Sequence, residues 1–189
     1  MRKNRIALSR ADLRVIVASA VTGLATSALA HTTLEYPVAS AGQGYKATFR
    51  IGHGCGASPT RQIVVDIPPG VQGAQPMPKP GWQLEVTRAK LATPYTRHGR
   101  VVSEDVVRIA WTAKTAEDML PNAHYDEFVL VATLPARPGT VYWPVQQVCE
   151  QGRHDWTDIP KPGQKPKDLK SPAPALEIMP AAGGAGHAH

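Results

Sequence analysis

The chain has 189 residues, of which 42% are hydrophobic and 19% charged, with a formal net charge of +6 and two cysteines. Much of that charge sits in the first thirty residues, and removing their five basic residues and one acid leaves +2. So small a surplus argues against nucleic-acid binding, which needs a basic face or stripe.

Residues 1–30 read as a secretory signal peptide. Arg2, Lys3, Arg5, Arg10 and Arg14 give a basic start, Val15 to Leu24 is mostly apolar and small, and Ala28-Leu29-Ala30 is an A-x-A cleavage site. The apolar run falls short of the roughly 20 residues that span a bilayer, and no later segment comes closer, so no membrane span is expected in the mature chain. Export to the periplasm and a cut after Ala30 would make His31 the first residue. About 159 residues then remain, enough for one domain with its own core.

From there apolar and polar residues alternate. Tyr45, Ala47, Phe49 and Ile51 interleave with Lys46, Thr48 and Arg50, and Ile63, Val65 and Ile67 follow the same rule. So do Trp82, Leu84 and Val86, then Val107, Ile109 and Trp111. Further strands are expected near 125–134 and 140–148. Period-two patterning marks half-buried strands, and Pro68-Pro69-Gly70, Lys79-Pro80-Gly81, Pro121-Asn122 and Pro138-Gly139 punctuate them. Seven or eight such strands predict an all-β fold, a two-sheet β-sandwich of immunoglobulin-like or cupredoxin-like type, over residues 31–160. The stretch Thr115 to Leu120 is helix-like but short. From residue 161 the chain is rich in proline, lysine and glycine and ends in His187-Ala188-His189, which predicts an extended, mostly disordered tail over 161–189.

The two cysteines, Cys55 and Cys149, fall in the exported part, where an even pair is most simply a disulfide. A thiolate site for copper or zinc is the rival reading, because His53 and His154 lie near them in sequence. Hydrolytic chemistry has no residues to stand on: the serines lie in no nucleophile elbow, and neither H-E-x-x-H nor a P-loop is present.

Cleavage before His31 would put a free α-amine and an imidazole on one backbone carbon. Amine nitrogen and ring Nδ1 can close a six-membered chelate on one ion, with pKa values of roughly 7.7–8 and 6.5 that let both deprotonate near neutral pH. Nitrogen donors in tetragonal arrangement suit Cu(II). The amino-terminal motif with histidine third in the chain is excluded, since Thr33 stands there. A second candidate ligand is His53, flanked by Gly52 and Gly54 where backbone can approach closely. Tying Cys55 to Cys149 would hold it near Cys149 to Trp156. Trp156 could restrict access to an ion or offer it a π face. His98 and His124 read as surface loop residues, and His187 and His189 as a weak metal-binding terminus at most.

The residues now in hand resemble the YcnI-like domain family, formerly a domain of unknown function (DUF1775). The resemblance rests on His31, the run His53-Gly54-Cys55-Gly56-Ala57-Ser58-Pro59-Thr60, Ile67-Pro68, Lys79-Pro80-Gly81-Trp82 and Trp156-Thr157, and extends from His31 to about Pro160. It implies an extracytoplasmic copper-binding β-sandwich of the kind found near copper import and homeostasis genes. In the characterised branch the metal is held by the amine and Nδ1 of the N-terminal histidine, with a carboxylate and a tryptophan close by. His31 and Trp156 carry over. The glutamate does not: the His53-Gly54-Cys55 segment stands in its place, so His53 is inferred to be the further ligand.

The function expected is binding of Cu(II) as a periplasmic chaperone or store, not catalysis. Its partners would be the copper ion and other periplasmic copper chaperones or copper transport proteins. The alternatives are an oxidative copper enzyme resembling lytic polysaccharide monooxygenases, or a metal-free interaction module using Pro76 to Trp82 as a recognition loop.

Overall fold

Alternating side chains are satisfied only when one strand face is covered. The computed structural model, which describes residues 31–181, is built on that principle. Its strands are β1 (Thr33–Leu34), β2 (Val38–Ser40), β3 (Gly44–Ile51), β4 (Thr60–Asp66), β5 (Gln72–Pro76) and β6 (Trp82–Arg97). Then come β7 (Arg100–Ala113), β8 (Asp126–Thr133), β9 (Gly139–Tyr142), β10 (Val145–Cys149), β11 (Arg153–Trp156) and β12 (Ala175–Met179). The expected leader and His187 and His189 lie outside the described residues.

One sheet has the order β1-β3-β8-β5 and a second the order β11-β10-β4-β7-β6. Between them Phe49, Phe128 and Leu130 of the first meet Ile63, Val65, Ile109 and Trp111 of the second, all at most 1% exposed. Phe128 makes edge-on contacts with Trp82 at 4.9 Å and Trp111 at 5.7 Å, the geometry aromatic pairs favour. The all-β sandwich read from the sequence is this arrangement.

Among the described residues there are twelve strands, more than the seven or eight expected. Several of the extra ones are too short to show alternation. The run 140–148 is also split into β9 and β10 at Trp143-Pro144, where proline lacks the N–H a ladder needs. Thr115 to Leu120 is not a helix: the Thr115 N–H and Oγ1 both donate to Asp118 Oδ2, at 3.2 and 3.0 Å, and close a turn. His98 takes φ 49° in the tight turn that joins Arg97 to Arg100.

The expected tail from residue 161 requires correction. Ala175–Met179 is the central strand of a third sheet, ordered β2-β12-β9, parallel to β2 and antiparallel to β9. Leu176 and Ile178 are 0% and 1% exposed and belong to the main core cluster. Proline and lysine content describes the connection that leads to this strand. The alternation of Leu176, Glu177 and Ile178 describes the strand itself, and it is too short to outweigh the composition around it.

Candidate metal centre

Two edge strands meet at one side of the sandwich. His31 stands two residues before Thr33, the start of β1 at the edge of the first sheet, and β11 is the edge of the second. In the β10–β11 hairpin Gln147 faces His154 and Val145 faces Trp156. Residues directly opposite in an antiparallel pair point to one side, as do residues two apart along a strand. The side chains of Gln147, His154 and Trp156 therefore share a face, turned toward the interior.

The ring contacts run in series. The His31 imidazole lies 5.0 Å from the Trp156 ring, centre to centre, with the planes tilted by 56°. Trp156 lies 5.2 Å from His154, tilted by 31°, and His154 lies 5.9 Å from His53, nearly perpendicular at 83°. Trp156 is buried, while the three histidines are half-buried, within reach of solvent.

His53 stands in the loop after β3, and this loop is fastened from several sides. Cys55 and Cys149 form a disulfide, which joins it to the end of β10. Glu150 N–H donates to Pro59 O at 2.9 Å, and Gln151 N–H to Ser58 Oγ at 2.8 Å. Gly54 N–H donates to Asn122 Oδ1 at 3.0 Å. A Cβ at Gly54 would stand 2.0 Å from Ser58 O, so only glycine allows this fold of the loop. His53 Nδ1 is hydrogen-bonded to Gly54 O, which fixes the ring and leaves Nε2 as the lone-pair nitrogen.

Burial, with the neighbouring His53 adding to it and Asp155 opposing, holds the His154 pKa below its ordinary value and favours the neutral imidazole. Asp155 is not a replacement for the missing carboxylate. It alternates to the other face of β11, and its Oδ2 takes the Arg153 guanidinium at 2.6 Å.

Of the residues singled out from the sequence, His31 and Trp156 are in contact, and His53 joins them through His154. In sequence His154 is a neighbour of Cys149 and of Trp156 and is not singled out as a ligand. The usable signal was the His-x-Trp spacing, which on a strand puts both rings on one face. With both cysteines in the disulfide, the thiolate alternative is overturned. Among the described residues no group of three or more His, Cys, Asp or Glu side chains is arranged to hold a metal ion.

Fold and site together define an immunoglobulin-like β-sandwich with a disulfide-braced cluster of histidines and tryptophan at one edge. The chain belongs to the family described as "Domain of unknown function (DUF1775)", matched over residues 31–178, and the resemblance to YcnI-like domains is thereby shown. The match runs past Pro160 into β12. No curated protein matches it. Among solved structures it is similar to an uncharacterized protein from Nocardia farcinica with an immunoglobulin-like fold. That likeness has 25% identity and a TM-score of 0.60, and covers 80% of this chain and 99% of that one. It is also similar to a putative membrane anchored protein from Corynebacterium diphtheriae, at 10% identity and a TM-score of 0.42, over 81% of this chain and 34% of that one.

Proposed function

We propose that this is an exported, periplasmic Cu(II)-binding protein acting in copper homeostasis as a chaperone or store. Cleavage after Ala30 frees the His31 amine, and that amine and the ring Nδ1 chelate the ion with Trp156 beside it. The observation that supports this most is the His31–Trp156 contact at 5.0 Å. It joins the two residues that the family resemblance associates with the metal, from opposite ends of the domain. The donors fit the cargo: imidazole and amine nitrogens suit Cu(II), and no thiolate is left to favour Cu(I). His53, which stands where the family has its carboxylate, packs against His154 and through it reaches the same cluster. The disulfide suits an oxidising compartment, and among the described residues no helix is long and apolar enough to cross a membrane. Handing copper to other periplasmic chaperones or transport proteins, without chemistry on a substrate, is the activity we assign.

One added alanine before His31 tests this, because it turns the amine into an amide and leaves the ring in place. Competition with a chelator should show Cu(II) affinity falling by orders of magnitude, while the unfolding temperature of the metal-free protein stays where it was. Equal affinity with and without the alanine would overturn the chelate.

A further inference from the structure

We propose that His53 and His154 form a second copper position, made of two imidazole nitrogens and independent of the His31 amine. This goes beyond the chelate, since it needs no cleavage before His31.

The distances carry it. A metal-bound imidazole nitrogen lies about 2.0 Å from the ion, so the ring centre lies roughly 3.2 Å away. Two rings on one ion then have centres roughly 4.5 Å apart when cis and 6.4 Å when trans. The His53 and His154 centres are 5.9 Å apart, inside that interval. Their planes stand at 83°, so the rings are not stacked against each other. Both rings are half-buried and stay within reach of solvent.

The surroundings of each ring favour the same reading. The hydrogen bond between His53 Nδ1 and Gly54 O selects the tautomer whose Nε2 can bind metal, which is the usual support of a ligating histidine. The carbonyl of His53 is held in turn by the buried Gln147 amide. The disulfide fixes the His53 loop to β10, and β10 carries β11 and His154 by its ladder. Both rings are therefore attached to one rigid unit, although they lie far apart in sequence. His154 also contacts Trp156, which contacts His31. An ion at the pair sits one aromatic ring away from the chelate, as a relay between the chelate and a partner protein requires.

Copper titration separates the two positions. All proteins would carry His187→Ala and His189→Ala, so that the terminus binds nothing. The mature protein should take up two equivalents of Cu(II) and the Ala-extended protein one. In the Ala-extended background His154→Gln or His53→Gln should each abolish that remaining equivalent, with the thermal unfolding of the metal-free protein confirming the fold. If the Ala-extended protein binds no copper, or binds one equivalent that survives both substitutions, the second position is overturned while the chelate stands. A single equivalent in the mature protein, weakened by His154→Gln, would mean one shared site and would also overturn it. Should mature and extended proteins bind alike and both lose copper with His154→Gln, the chelate fails and the pair stands.

Discussion

Gln147 and Trp156 share a hydrogen bond inside the sandwich: the indole Nε1 donates to Gln147 Oε1 at 3.4 Å. The other end of the same amide donates to His53 O at 2.5 Å and to Thr60 Oγ1 at 2.8 Å. With 1% exposure, Gln147 is a dry connector between the tryptophan and the histidine loop. Buried polar groups of this kind are costly to leave half-satisfied.

Replacing Gln147 by leucine keeps the volume and removes all three bonds. The groups left without partners should lower stability by about 1–3 kcal/mol, measured as the shift of the urea midpoint. Copper binding should weaken as well, because the His53 carbonyl loses its anchor. Glutamate at this position, while ionised, keeps the acceptor but cannot donate and buries a charge, so at high pH it should be worse than leucine. An unchanged midpoint in Gln147→Leu would show that the network is incidental.

Trp156 has two jobs that substitution can separate. It is 5% exposed and belongs to the core, so Trp156→Ala should cost about 3–5 kcal/mol. Trp156→Phe keeps most of the packing and loses only the Nε1 bond. Its Cu(II) affinity should stay close to that of the parent while the visible spectrum or reduction rate of the bound copper changes. A spectrum identical to the parent's would remove Trp156 from the metal's surroundings.

What the sequence made legible follows from length of pattern. Tyr45 to Ile51 and Ile63 to Ile67 alternate long enough to declare strands, and the structure places them as β3 and β4 at the centre of the two sheets. The disulfide was legible because a single pair of cysteines leaves one pairing. For His154 only the His-x-Trp spacing is a sequence signal; its meeting with His53 depends on hairpin register and on the placement of a distant loop, which composition does not reveal. The third sheet was hidden for a related reason: β2, β9 and β12 are short, and a parallel pairing between β2 and β12 joins opposite ends of the chain.

That third sheet yields a direct test. Leu176 is fully buried against the core, so Leu176→Ala should destabilise by about 2–5 kcal/mol, more than any substitution in a disordered tail could. Lys167→Ala, in the exposed connection before it, should leave the denaturation midpoint unmoved. Removing residues 171–189 should abolish cooperative unfolding or shift it further than Leu176→Ala does. A truncated chain as stable as the parent would show that β12 is dispensable to the fold.

The last expectation concerns acid. Asp105 is 4% exposed on β7 and ties three strands together. Its Oδ2 accepts from Gly73 N–H of β5 at 2.8 Å and from the Tyr95 hydroxyl of β6 at 2.7 Å, while Oδ1 accepts from Val106 N–H at 2.8 Å. Burial pushes its pKa upward, but the hydrogen bonds from Gly73, Tyr95 and Val106 and the charge of Arg88 outweigh it, so the carboxyl is held below its ordinary value. A group whose pKa is depressed on folding stabilises the fold above its unfolded pKa, and that contribution is lost as pH falls through the folded value. Stability should therefore be level in this respect above about pH 5 and decline once pH drops below about 4, where unfolded aspartate begins to hold its proton. Asp105→Asn cannot accept at both oxygens and should cost about 1–3 kcal/mol at neutral pH. Because asparagine does not titrate, the gap between variant and parent should narrow as the pH is lowered from 5 toward 2, followed by urea denaturation at each pH. A gap that stays constant over that range would mean the Asp105 carboxylate contributes no charge-dependent stability, leaving only hydrogen bonds that do not need its charge.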